Sequence, residues 1–91
     1  DVLLPGDDLA EIIYIDHYGN AFTGLRGAGR PAERTLRWGD IDVPHARVFG
    51  EACPGRAFWY VNSLGLVEIA MPGTSAAGRL GMQIGQAVGW G

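Results

Sequence analysis

Short apolar runs, each closed by glycine or a polar pair, recur along the whole chain. Residues 11–17 (EIIYIDH) are rich in β-branched and aromatic side chains and read as a strand. Tyr18-Gly19-Asn20 reads as a turn and residues 21–25 as the returning strand of a hairpin. Residues 26–34 (RGAGRPAER) are loop, punctuated by Gly and Pro. Residues 35–38 and 41–43 are short strand candidates, and 45–50 is another, broken by Cys53-Pro54-Gly55. Residues 57–61 (AFWYV) read as a buried strand. Asn62-Ser63-Leu64-Gly65 turns the chain into residues 66–71 (LVEIAM), which alternate apolar and polar. Only residues 74–80 read as helix, with Thr74 or Ser75 able to cap it and Gly81 able to end it. Residues 86–90 form a last short strand. The pattern predicts an all-β fold, a small β-barrel of about seven or eight short strands with one short helix near the C-terminus.

Composition narrows the classes. Ninety-one residues make one domain, read here as a linker over 1–8 and a folded unit over 9–91. The charged fraction of 19% against 47% hydrophobic is that of a globular chain. No apolar run approaches the ~20 residues that span a bilayer, so no membrane partner is expected. The net charge is −3 and the chain has no lysine; its arginines scatter from Arg26 to Arg79. Nucleic acid requires a concentrated basic face, and none is present. A single cysteine, Cys53, excludes an internal disulfide framework and fits a reducing cytoplasm. No signal-peptide pattern opens the chain. The start, DVLLPGDD without methionine, suggests a fragment of something longer.

Most chemical constellations fail on spacing. Cys53 and His45 lie eight apart across a turn, and a small hydrophobe beside a surface histidine explains them. His17, His45, Cys53 and Asp16 lack the spacing of a metal site. Asp40 and Asp42 alternate onto one face and read as a solvated edge. No Walker-type phosphate loop is present. Two segments remain. Tyr14-Ile15-Asp16-His17-Tyr18-Gly19-Asn20 puts an acid, an aromatic and an amide in one hairpin, which an ordinary turn would also do. Tyr60-Val61-Asn62-Ser63-Leu64-Gly65 puts a polar turn between apolar strands, again either plain structure or donors at a pocket rim.

Together these segments resemble the C-terminal domain of the S-adenosylmethionine (SAM) hydroxide adenosyltransferase family, relatives of the SAM-dependent fluorinase and chlorinase. The family pattern Ile-Asp-x-Phe-Gly-Asn corresponds to Ile15-Asp16-His17-Tyr18-Gly19-Asn20. Tyr-x-Asn-Ser-x-Gly corresponds to Tyr60-Val61-Asn62-Ser63-Leu64-Gly65, Leu-Glu-Ile-Ala to Val67-Glu68-Ile69-Ala70, and Ala-Ala-x-x-Leu-Gly to Ala76-Ala77-Gly78-Arg79-Leu80-Gly81. Order and separation match from about Asp8 to Val88.

The resemblance implies substrate-binding roles and no catalytic residue or metal ligand on this chain. Asp16 would hold the amino group of SAM's methionine part, and Asn62 and Ser63 would lie at the substrate, Ser63 helping with the carboxylate. Asn20 and the backbone around Ala76 would bond the adenine edge. Tyr18 would wall the adenine, and Phe49 is the candidate for a second aromatic wall. The chemistry suits these groups: an ammonium favours a carboxylate, an amide matches adenine's donor–acceptor edge, and a ring stacks on a base. It further implies SAM as substrate with no cofactor, hydrolysis to adenosine and L-methionine, a catalytic N-terminal α/β domain as partner, and a homotrimer. A half-site of this kind alone would not turn over.

Three positions depart from the pattern. Tyr18 stands for phenylalanine, Leu64 where the halogenating relatives have arginine, and Gln86 for aspartate after Gly85. A competing likeness covers residues 64–87, which resemble the second half of a PDZ peptide-binding domain, but the Gly-Leu-Gly-Phe loop such a domain needs is missing. A third reading is a non-catalytic β-barrel oligomerisation module.

Overall fold

A computed structural model describes residues 9–26, 34–46 and 55–90. The expected linker over 1–8, the loop over 27–33, and Phe49 and Cys53 lie outside the described residues. Seven strands and one helix follow in the order β1 (Leu9–Ile15), β2 (Ala21–Arg26), β3 (Leu36–Trp38), β4 (Ile41–Val43), β5 (Phe58–Val61), β6 (Leu66–Ala70), α1 (Ala76–Leu80) and β7 (Gly89–Trp90). Most elements match the sequence reading: β1 lies two residues earlier, the helix begins two residues later and the last strand is shorter, while of the strand expected over 45–50 only His45 and Ala46 lie within the described residues and His45 makes an isolated bridge.

The strands form two antiparallel sheets. One has the order β1-β2-β6-β5, the other β4-β3-β7. The small all-β fold expected is present, and among the described residues the ladder does not run unbroken around a barrel. Isolated bridges join the two sheets instead. Beyond β4, Pro44 O accepts from Trp59 N at 2.9 Å and Ala46 N donates to Trp59 O at 3.1 Å. Before β7, Gly85 N donates to Ile12 O at 2.7 Å and Val88 N to Ala10 O at 3.0 Å. Both edges of the larger sheet are therefore tied to the smaller one. Proline at 44 has no N–H to give, and Gly85 turns at φ 94°, so each junction stays a bridge rather than a strand.

One apolar cluster draws on both sheets and the helix: Ile12, Leu25, Trp59, Val67 and Ile69 from the larger, Leu36 and Val43 from the smaller, Ala76 and Ala77 from α1. Trp59 is its largest fully buried side chain, and its indole N–H donates to Arg34 O at 3.1 Å. His45 lies against the same indole with ring centres 4.4 Å apart, half-buried rather than the free surface residue expected. Asp42 is exposed on β4, an edge strand, and pairs with Arg37 at 3.4 Å.

Strand β6 departs from the alternation read in its sequence. It is central, and its polar face is covered too: Glu68 is only 4% exposed and Ala70 fully buried. Helix α1 behaves as its sequence suggests. Ser75 Oγ accepts from Gly78 N at 2.8 Å, and Gly81 closes the helix at φ 72° with its N–H on Ala77 O.

Candidate functional site

The β1–β2 turn is built by Asp16. Its Oδ1 accepts from the backbone N–H of Tyr18 and of Asn20, both at 2.9 Å, while Asp16 N donates to Asn20 O at 3.1 Å. That is an Asx turn, the local bond that makes aspartate a turn residue. The bonds leave Tyr18 projecting, 77% exposed. Gly19 sits at φ 84° and is buried against the start of α1, where its carbonyl accepts from Ala77 N at 2.9 Å.

This docking makes a cavity. Tyr18 and Asn20 on one side, and Met71, Gly73, Thr74 and Ser75 on the other, line an open space of about 510 Å³. Of the residues expected near adenine, the structure thus joins Tyr18 and Asn20 to the segment running into the helix. Ala76 does not line the cavity; it is fully buried behind it. The lining segment 71–75 was missed as such, although Pro72-Gly73-Thr74-Ser75 between strand and helix signals an exposed backbone turn.

The β5–β6 turn is built by the side chain of Asn62. Its Oδ1 accepts from Leu64 N at 2.9 Å and Leu66 N at 3.1 Å, and its Nδ2 donates to Glu68 Oε1 at 3.2 Å. Ser63 and Leu64 are exposed at the tip, Leu64 at 71%. The two turns occupy opposite ends of the larger sheet. Ala21 pairs with Ile69 near one end and Arg26 with Leu66 near the other. The four steps from Leu66 to Ala70 correspond to about 13 Å at strand rise.

Between the turns runs a row of cross-strand partners on the face away from the main core. Tyr14 pairs with Phe22, Phe22 with Glu68, and Glu68 with Tyr60, so the four share one face. The Tyr14 and Phe22 rings meet edge to face at 5.4 Å. The Tyr60 hydroxyl donates to Glu68 Oε2. Burial, that hydrogen bond and the nearby charges of Glu68 and Asp16 push the Tyr60 phenol above its ordinary value. Glu68 was not singled out from sequence as a site residue, because an acid in an alternating strand reads as solvent-facing.

Comparison with known proteins decides what this arrangement belongs to. The family described as SAM hydroxide adenosyltransferase C-terminal domain matches residues 10–89. The chain belongs to that family. It is 38% identical over 77 residues to the (R)-S-adenosyl-L-methionine hydrolase of Salinispora arenicola, covering 84% of this chain and 30% of that protein. The hydrolase of the same name from Thermus thermophilus is 37% identical over 78 residues, 86% of this chain and 30% of the relative. The chain thus spans about a third of the length of the curated relatives it matches. Among solved structures, a conserved hypothetical protein of Thermus thermophilus superposes with a TM-score of 0.80 at 36% identity, over 88% of this chain and 33% of that one. An uncharacterised protein of Thermotoga maritima gives 0.77 at 20% identity over 100% of this chain and 40% of its own, and shows the fold alone. The adenosyltransferase assignment covers residues 64–87, so the PDZ likeness loses the segment that suggested it.

Proposed function

We propose that this chain is the SAM-binding C-terminal part of an enzyme that hydrolyses SAM to adenosine and L-methionine. The carrying observation is the arrangement of the two matched turns. They bound one aromatic sheet face, with Asp16, Tyr18 and Asn20 on one turn and Ser63 on the other. The adenine sits in the cavity between Tyr18 and Thr74, with Asn20 on its edge. The amino-acid part runs along the Tyr14–Phe22–Glu68–Tyr60 row toward Ser63. Asp16 serves twice: Oδ1 holds the turn, and the carboxylate charge faces the substrate ammonium. Asn62 holds the turn that presents Ser63, and it is this support rather than a direct contact that it gives the substrate.

The bond-making atoms come from elsewhere in the enzyme. Water attacks C5′; the C5′–S bond breaks, methionine leaves with the sulfur electron pair, and the proton goes to solvent or a base. Sulfonium already leaves well, so the site's work is orientation and exclusion of bulk water. A sheet face with Tyr14 54% exposed needs a covering surface. An N-terminal α/β domain of a neighbouring subunit in a trimer supplies it. Leu64, where the halogenating relatives have arginine, fits the hydroxide version of the reaction.

The test uses the full-length protein with SAM in halide-free buffer, following adenosine and methionine by chromatography. Asp16→Asn keeps the turn acceptor and removes the charge; the KM for SAM is expected to rise about 10- to 150-fold, the factor for a lost charged hydrogen bond. Asn20→Ala weakens adenosine binding. Intact SAM after incubation with the wild type refutes the reading.

A further inference from the structure

We propose that Glu68 is a positioning residue of this site: it fixes, through Asn62, the turn that carries Ser63. The inference rests on the reading above. Glu68 is nearly fully buried in the central strand β6, and each carboxylate oxygen has its own donor. Oε2 takes the Tyr60 hydroxyl and Oε1 takes Asn62 Nδ2. Because Nδ2 is held by a carboxylate, the Asn62 amide has one orientation, with Oδ1 toward the N–H groups of Leu64 and Leu66. The sequence of contacts is therefore Glu68 to Asn62 to the backbone on both sides of Ser63. Nothing in it touches the cavity at Tyr18 and Asn20, which lies toward the other end of the sheet.

The consequence is a split between the two ends of SAM. Loosening Glu68 should misplace Ser63 and weaken the hold on the methionine part while leaving the adenosine part alone. The experiment uses full-length protein and four variants: Glu68→Met, Glu68→Gln, Asn62→Ala and the double Glu68→Met/Asn62→Ala. Two quantities are read, the KM and kcat for SAM and the Kd for adenosine. Glu68→Met fills the volume without an acceptor and is expected to raise KM about tenfold, the factor for one unsatisfied buried donor. Adenosine affinity stays within about twofold, a shift well under 1 kcal/mol. Glu68→Gln restores KM, since its Oε1 accepts from Asn62 and its Nε2 can donate to a rotated Tyr60 hydroxyl. Asn62→Ala raises KM as Glu68→Met does, and the double variant is no worse than either single one, because both break one chain of contacts.

A KM that stays at the wild-type value in Glu68→Met overturns the proposal, as does a double variant whose effects multiply. If adenosine affinity falls as far as KM rises, Glu68 is only part of the general scaffold and the proposal is also wrong. Should Glu68→Met fail to fold, Glu68→Gln and Asn62→Ala decide: a raised KM in the former or an unchanged KM in the latter sinks it. Wild-type protein that neither binds adenosine nor consumes SAM brings down the functional reading itself, a result recognisable before any variant is made.

Discussion

Gly19→Ala probes how the first turn is joined to the helix, and its cost can be worked out. Gly19 sits at φ 84°, where a side chain is strained by about 1–2 kcal/mol. A Cβ there would lie 1.8 Å from Ser75 Oγ, 2.4 Å from Ser75 Cβ and 2.9 Å from Ser75 Cα. Turning the serine side chain removes the first contact but not the other two. Carbon atoms pack at about 3.5 Å or more, so hairpin and helix must separate by about 1 Å. That stretches the bond from Ala77 N to Gly19 O beyond useful length, a loss of about 1 kcal/mol. The displaced Ser75 also gives up the cap on Gly78 N, about another 1 kcal/mol. The total is about 3–4 kcal/mol.

Urea unfolding followed by the fluorescence of the buried Trp59 measures it. With a slope of about 1 kcal/mol/M for a small domain, the midpoint falls by about 3 M. Gly81→Ala is the control: φ is 72°, yet nothing lies within 4 Å of its added Cβ. It should cost only the backbone strain, about 1–2 kcal/mol. Placing Gly19→Ala in a Ser75→Gly background removes the two closest obstacles, and the cost of the substitution should drop by about 2 kcal/mol. Equal losses for Gly19→Ala and Gly81→Ala would refute the claim that the turn and helix are sterically locked.

Other substitutions test the sheet. Thr23 is fully buried, with Oγ1 donating to Val67 O at 2.8 Å and accepting from Leu25 N at 3.2 Å; Thr23→Val keeps the shape and should cost about 1–3 kcal/mol by calorimetry or urea. Trp59→Ala empties the centre of the cluster and drops the bond to Arg34 O, so a loss of about 3–5 kcal/mol is expected in the same assay. The raised Tyr60 phenol links stability to alkaline pH. Below pH ~10 the phenol is protonated folded or unfolded; above it the unfolded chain releases the proton first, so stability falls as pH climbs toward the folded value. Tyr60→Phe should flatten that part of the stability–pH curve, and a curve unchanged by the substitution would contradict it.

What the sequence discloses divides along range. Local rules place most of the strands, the β1–β2 hairpin and the C-terminal end of α1, where Gly81 acts within one helical turn. Neighbour relations across the chain are not local. The pairing of β2 with β6, or of β3 with β7, depends on how the apolar faces fit together, which no short window records. The same limit applies at the site. Asp16, Asn20 and Ser63 stand out as motif residues, but the turn-building role of Asn62 shows only when its amide is seen bonded to Leu64, Leu66 and Glu68. Glu68 looks solvated until β2 and β5 are known to flank it.

That last residue bears on why the domain is built as it is. For packing alone, a leucine at 68 would serve strand β6 as well, without the desolvation an acid suffers on burial. A leucine has no means of accepting two hydrogen bonds arriving from different directions. The carboxylate does, and its two donors are the residues that join the aromatic face to the Ser63 turn. At the other end of the sheet Asp16 uses one oxygen in the same manner, drawing Tyr18 and Asn20 into place through their backbone. Two acids thus set the two turns that bound one face. A domain whose strands needed only to cohere would have no reason to bury Glu68, whereas the proposed grip on a ligand from both ends of the face requires that the distance between its turns not drift.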